Sequence, residues 1–267
     1  MTMYWIYDIP TWALATLLVV VFNALSLGGL YGTRPLARRV LRGSTENNDL
    51  VSYFVAAVGV FYGLALGLIA VATWQNFTDV DGLVSKEAAS LAALYRDLDG
   101  YPQPLRGQFE QRLRDYTKFI IDHDWPAHQQ GRTPEDSAVL LDDLQDSILA
   151  YEPTKESEKI AHSEALKSLD NVMEQRRLRL QAVSTGLPAS LWIVVVVGAL
   201  LNIVLTNCFW VENLTIHAIL VSILATFIAL LIFLTAAMDN PFRGEFSVSS
   251  DAYQTVLENV MKPQSSQ

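Results

Sequence analysis

Asp, Glu, Lys and Arg are missing from four long stretches of this 267-residue chain, 12–31, 51–74, 189–209 and 216–238. Each is close to the ~20 apolar residues that cross the hydrocarbon core of a bilayer as a helix. The pattern excludes a wholly soluble protein and predicts four membrane-spanning helices in two pairs. Cysteine is nearly absent. Cys208, alone, forms no intrachain disulfide and supplies no cysteine-based metal site, and it reads as a small apolar residue at a membrane edge. Residues 1–10 lack Lys and Arg and include Asp8. A cleavable signal peptide has a basic start and a shorter apolar run, so the first stretch is expected to be a retained helix.

Neutral polar residues inside the four runs include Asn23, Ser26, Thr73, Asn202, Asn207, Ser222, Thr226 and Thr235. Such groups bond across helices at modest cost. A transporter driven by protons or sodium usually places an ionisable residue at membrane depth. The nearest one is His217, in the first turn of the last run, where it is expected to be interfacial. The absence argues against a proton relay and leaves a channel open, since pores are also lined by apolar constrictions and neutral donors. No Ser/His/Asp order, phosphate-cradling glycine loop or HExxH occurs, so neither an enzyme nor a cofactor is expected. Asp122, His123, Asp124 and His128, and Asp142, Asp143 and Asp146, have spacings that suggest metal ligands. On an acidic helix they read as a solvated face, and no metal is expected.

The net charge of −9 is concentrated in residues 76–186, which hold 13 Lys and Arg against 20 Asp and Glu. An acidic solvated region argues against nucleic acid as a partner, because phosphates require a basic surface. Its apolar residues recur at helical spacing. Val84, Ala88, Leu91, Tyr95 and Leu98 mark a first helix, ended by Gly100, Pro102 and Pro104. Leu105, Phe109, Leu113, Tyr116 and Ile120 mark a second, expected to stop at Trp125-Pro126, with a loop over 127–133. Leu140, Leu141, Leu144 and Ile148 mark a third. Ile160, Leu166, Leu169, Val172 and Met173 mark a fourth over 154–185, broken by Gly186 and Pro188. Four amphipathic helices with short connections predict an antiparallel bundle. The first and last are expected to run on from the second membrane helix and into the third.

Arg34, Arg38, Arg39 and Arg42 crowd the short connection 33–48. Short arginine-rich loops stay cytoplasmic, which places the bundle on the outer face of a bacterial inner membrane. Arg176, Arg177 and Arg179 oppose that placement, with less force because they belong to a long connection. On the second run, Ser52, Ala56, Gly59, Gly63 and Gly67 share one face. Small residues so spaced let backbones approach, either in a packing seam within or between subunits or along a pore. Trp74, Trp192 and Trp210 read as interfacial anchors, and Trp125 as packed on the bundle or the membrane surface.

These residues include several short motifs. They are Phe61-Tyr62-Gly63 with Ala70 to Trp74, Glu87-Ala88, Leu94-Tyr95-Arg96-Asp97 and Gly100-Tyr101-Pro102. Further along come Asp124-Trp125-Pro126, Arg177 to Leu180, Leu187-Pro188, Leu191-Trp192 and Asp239-Asn240-Pro241-Phe242-Arg243-Gly244. By them nearly the whole chain resembles the bestrophin-like domain family of bacterial and plant membrane proteins, in which Glu often replaces Asp124. The resemblance implies a relation to bestrophins, oligomeric anion channels with four membrane segments and a helical region between the second and third. In bestrophins that region is cytosolic, against the orientation the arginines suggest. Bestrophins also line a narrow neck with aromatics of the second segment, a part Phe54, Phe61 or Tyr62 could play here.

The expected fold class is all-α, four transmembrane helices in two pairs with an inserted antiparallel soluble helical bundle. Its expected parts are 1–75, a first membrane pair; 76–186, the bundle; 187–240, a second pair; and 241–267, a tail. The expected partners are the lipid bilayer and further copies of the chain. Two functions remain open: an oligomeric anion channel, or a non-conducting sensor or scaffold whose bundle binds a ligand or partner protein.

Overall fold

The computed structural model describes residues 4–40 and 45–262, with side chains over 6–35 and 48–262. The described chain is helical, without a strand. Its helices are α1 (Thr11–Val40), α2 (Thr45–Asp97), α3 (Leu105–Phe119), α4 (Trp125–Gln129), α5 (Asp136–Leu149), α6 (Glu156–Ala182), α7 (Ala189–Asn207), α8 (Leu214–Met238) and α9 (Asp251–Asn259). Four of them, α1, α2, α7 and α8, are long and apolar enough to cross a membrane. The chain divides into one compact unit of 1–75 and 186–239 and another of 76–185 and 240–267. The segment after α8 therefore groups with the bundle instead of standing apart as a tail.

In the first unit α1 packs against α8 and α7, and α7 against α8. Phe22, Leu66, Val195, Ala199, Ile203, Ala225, Ile228 and Ala229 form its core. Lipid tails are as apolar as leucine, so close packing and polar bonds, more than burial, hold such helices together. Both devices are present. Alanines 199, 225 and 229 are buried at contact faces, and a Cβ on Gly198 would strike the Tyr62 ring. The Asn23 amide donates to Thr226 Oγ1 (2.9 Å) and the Asn207 amide to the Ser26 carbonyl (3.2 Å). His217 is buried within the chain, with Nε2 3.1 Å from the Thr206 carbonyl. The first turn of α8 thus places that ring against the last turn of α7, whose end carbonyls lack the N–H partners of a continuing helix and take long turn bonds instead.

The helices outrun the apolar stretches. α1 continues to Val40 and α2 starts at Thr45, so much of the connection expected over 33–48 is helical. The end of an apolar run marks the edge of lipid, whereas Leu, Ala and Arg still favour helix beyond it. α2 is one helix of 53 residues, continuous from its apolar part into the bundle part, as its stripe suggested. α6 and α7 are separate, because the chain leaves helix at Ala182 and resumes only after Pro188.

In the second unit a core of Val84, Leu91, Leu98, Phe109, Leu113, Tyr116, Leu144, Leu169 and others is almost solvent-free. Two features depart from the sequence expectation. Trp125-Pro126 does not end the second bundle helix. A π-turn over Ile120–Asp124 brings the Trp125 N–H to the Ile120 carbonyl, and Pro126 falls in the first turn of α4, where its missing N–H costs nothing. The expected loop thus begins only after Gln129. Ile160, assigned to an apolar stripe, is 62% exposed. The inward face of α6 keeps Leu169 and Val172 of that stripe, with Leu166 and Met173 packed beside them, and adds Ala165.

The segment after α8 closes this core. Phe242 is buried edge-on against Trp125 (ring centres 5.5 Å apart) and against His128 (5.5 Å). Tyr253 of α9 meets the same tryptophan at 5.5 Å. Each aromatic so buried contributes about 1.5–3 kcal/mol from surface removed from water. Trp125 therefore packs within the bundle, and its Nε1 donates to the Val248 carbonyl (3.3 Å).

Candidate functional site

Two constellations concern function, one in each unit. The first is the face of α2. Of its most apolar window 6% is buried, against 22%, 28% and 33% for α1, α8's partner α7 and α8. One stripe of α2, Tyr62, Leu66, Ile69 and Thr73, turns inward, and the Tyr62 hydroxyl donates to the Val195 carbonyl (3.0 Å). The rest is uncovered within the chain. Ser52, Ala56 and Gly63 are exposed, and Phe54 and Phe61 are 58% and 72% exposed. Nothing lies within 4 Å of a Cβ built on Gly63 or Gly67, whereas one on Gly59 would meet Asn202. Of the small-residue and aromatic positions singled out above, Tyr62 and Gly59 therefore face the chain's own helices. Ser52, Ala56, Phe61 and Gly63 face away from them.

At one end of this unit Arg34 lies over the Trp210 ring (5.3 Å) and donates to the Glu212 carbonyl (3.4 Å). The side chains of Arg38 and Arg39, and all of Arg42, lie outside the described residues. At the other end of α8, Asp239 accepts from the Leu187 N–H and from Trp192 Nε1 (3.1 Å), tying the exit of α8 to the entry of α7. Trp74 is 56% exposed.

The second constellation is a fully buried ion network in the bundle. Arg179 of α6 and Glu87 of α2 are each 0% exposed and pair through two bonds, Nε to Oε2 (2.7 Å) and Nη2 to Oε1 (3.2 Å). Asp124 Oδ2, in the π-turn, lies 3.6 Å from Nη2 of the same arginine. Nη1 donates to His128 Nε2 of α4. A guanidinium has no lone pair to offer, so the His128 nitrogen facing it must be the acceptor. The other ring nitrogen, Nδ1, is 3.0 Å from the Arg132 carbonyl and carries the proton. His128 is thus a neutral imidazole held in one tautomer.

The charges inside this core shift in the directions burial dictates. Burial, with the Arg179 charge second, lowers the His128 pKa from 6.5 to about 4. Burial raises Asp124, opposed by the Ser137 hydroxyl and Arg179. Burial also disfavours the Arg179 cation, but the Glu87 carboxylate outweighs it and holds the guanidinium well above its ordinary value. The phenols of Tyr116 and Tyr253 are pushed up by burial and then by the Glu87 charge. Among the described residues no group of three or more side chains is placed to hold a metal ion. Asp124 and His128 are turned toward an arginine instead.

The remaining motif residues surround the same bundle. The Tyr95 hydroxyl accepts from Arg114 Nη2 (3.1 Å), Asp97 accepts from the Ser168 hydroxyl, and Arg96 is exposed. Pro126 is exposed in α4. Pro241 accepts the Val248 N–H in the turn that seats Phe242, and Gly244 completes that turn at φ 79°. Across it, the Arg243 guanidinium donates to the Gln130 carbonyl (3.0 Å) and fills the space beside Gly131, which has φ 69°.

The family model for the bestrophin-like domain matches residues 20–253. The chain belongs to the bestrophin-like domain family. No curated protein matches it. Among solved structures, a crystal structure of a bacterial bestrophin homologue from Klebsiella pneumoniae aligns at TM-score 0.64 and 13% identity, covering 92% of this chain and 97% of that one. A second variant of that homologue aligns at TM-score 0.66 and 12% identity over 92% and 98%. Likenesses at this identity establish the bestrophin-like fold and carry nothing further.

Glu87 was legible from its motif, but Arg179 was passed over inside the Arg177–Leu180 run. A signal existed. Val80, Val84, Glu87, Leu91, Leu94 and Leu98 are buried at steps of 4, 3, 4, 3 and 4, and Ala165, Leu169, Val172 and Arg179 continue one stripe of α6. A charge standing at an apolar register position announces a buried partner on a facing helix.

Arg179→Met leaves Glu87 as an uncompensated buried charge and is expected to destabilise the protein by about 3–5 kcal/mol. The double replacement Glu87→Leu with Arg179→Met should recover part of that loss in thermal unfolding. Equal stability of the single variant and wild type would contradict the network's role. For His128 the folded pKa of about 4 lies below the ordinary 6.5. The unfolded chain therefore binds a proton that the folded bundle refuses, and stability held above pH ~6.5 falls by up to about 3 kcal/mol as pH drops toward ~4. Asp124 contributes with the opposite sign, so the difference between the pH–stability profiles of wild type and His128→Gln isolates the histidine.

Proposed function

We propose that this protein is an oligomeric anion channel of the bacterial inner membrane, assembled with the α2 helices of its copies facing one another. The observation that carries the proposal is the α2 face: apolar and neutral, with glycines 63 and 67 open and Phe61 projecting, while α1, α7 and α8 cover each other. A membrane helix surrounded only by lipid has no need of a small-residue face, whereas a helix that meets copies of itself does. Neutral lining with aromatic constrictions is compatible with ion passage by dewetting and partial dehydration. Anion selectivity is what the kinship with bestrophins implies. The absence of Asp, Glu, Lys and Arg from all four apolar runs, with His217 only in the first turn of α8, supports passive conduction over a proton-driven cycle.

Purified protein in planar bilayers should give single-channel currents whose reversal potential follows the chloride gradient. Phe61→Ala should raise their conductance without unfolding the protein, since its ring touches no core of the chain. A monomeric particle in detergent, or silent bilayers over a wide range of voltage and pH, would overturn the channel and favour the scaffold reading.

The bundle is proposed to lie outside the cytoplasm, on the strength of Arg34, Arg38, Arg39 and Arg42 between the first two apolar runs. In a Cys208→Ser background, Gln129→Cys on the exposed side of α4 should react with a membrane-impermeant maleimide in intact spheroplasts. Reaction only after lysis would place the bundle in the cytosol, the side that bestrophin kinship implies.

A further inference from the structure

The second unit carries a cleft that neither constellation above uses. It has a volume of about 340 Å³ and lies where the end of α2 meets α3 and the residues after α9, lined by Tyr95, Arg96, Asp99, Arg106, Asn259 and Lys262. Three cations against one carboxylate line it, although residues 76–186 as a whole carry 13 basic and 20 acidic residues. Arg106 is fixed as a wall of the cleft by Asp99 and by a 2.6 Å bond from Nε to Glu110. Arg96 and Lys262 make no ion pair with any carboxylate among the described residues.

Lys262 is also held in place. Arg114 Nε donates to the Met261 carbonyl (2.8 Å), and the Arg114 Nη2 bond to Tyr95 (3.1 Å) fastens the same strap to α2. On an open convex surface three such cations would be ordinary. On this concavity Arg106 is neutralised by Asp99 and Glu110, which leaves Arg96 and Lys262 as the charges open to a counter-ion, and a concave site with an excess of one sign concentrates ions of the other.

From this cleft we infer that the bundle binds a small multivalent oxyanion, a phosphoryl or polycarboxylate group, between Arg96, Arg106 and Lys262. Asp99 and Glu110 both pair with Arg106, so the charges left without an ion pair at the cleft are those of Arg96 and Lys262, two cations that one multivalent oxyanion can bridge and a chloride ion cannot. Arginine supplies the planar fork that grips two oxygens of one oxyanion, and lysine a mobile point charge. The inference is independent of conduction, because it concerns binding to the bundle and not passage along α2. A free phosphate and the headgroup of an anionic lipid share the required chemistry.

The test uses full-length protein in an uncharged detergent, with tryptophan fluorescence reporting thermal unfolding. Inorganic phosphate should raise the apparent Tm saturably and beyond sodium chloride of equal ionic strength. Arg96→Ala and Lys262→Ala should each weaken the half-saturating concentration about tenfold, the loss of one charge-assisted contact. Both side chains are exposed, so both variants should fold, and Lys159→Ala on distant α6 should respond like wild type. A short-chain phosphatidate that acts at lower concentration than phosphate, with the same dependence on Arg96 and Lys262, would identify the ligand as a headgroup. Responses to phosphate and phosphatidate no greater than to chloride, or unchanged in Arg96→Ala and Lys262→Ala, would overturn the inference.

Discussion

The bundle is organised around one guanidinium that has nowhere to go. Arg179 is wholly enclosed, out of reach of bulk solvent. Removing such a cation from water costs several kcal/mol, so every donor must find a partner for the fold to persist. Glu87 takes two of its nitrogens, His128 a third, and Asp124 stands close by. These partners come from α2, α4 and the π-turn, while the arginine comes from α6. One side chain thereby sets the relative placement of three helices. Hydrophobic contacts alone tolerate sliding, whereas a bidentate ion pair in a dry core does not.

That requirement accounts for neighbouring irregularities. The π-turn at Ile120–Asp124 adds a residue to the helical repeat and turns both Asp124 and His128 toward the arginine. Asp124 and His128, four positions apart, share a helix face, and without the extra residue that face would be rotated relative to the buried face of α3. Phe242 and Tyr253 then seal the network from the side of Trp125. The segment after α8 is thus a working part of the bundle, since without it the ion pair would be open to solvent and weaker for it.

The membrane unit obeys the opposite rule. Among the described residues its spans contain no ion pair, and its specificity rests on glycine and alanine contacts and on neutral donors such as Asn23 and Asn207. Small residues near Asn202 and Tyr62 are used within the chain. Those at Gly63 and Gly67 are not, and that asymmetry on a single helix is what gives α2 a face of its own.

The four spans, the helical character of the insert and its acidity were legible from residue order, because lipid imposes a length and a polarity that no tertiary contact can override. The stripes of α3 and α5 were legible for the same local reason, the 3.6-residue period. Helix ends beyond the apolar runs, the inward turn of His217 and the burial of the segment after Asp239 were not, because each depends on what a distant residue offers. Local sequence thus determined that this is a four-span helical membrane protein with a polar helical insert. Only the tertiary structure decided that Arg179 belongs with Glu87, 92 positions away, and that part of the glycine face of α2 is left uncovered. Burial and facing are properties of pairs of surfaces, and a single stretch of sequence specifies only one member of each pair.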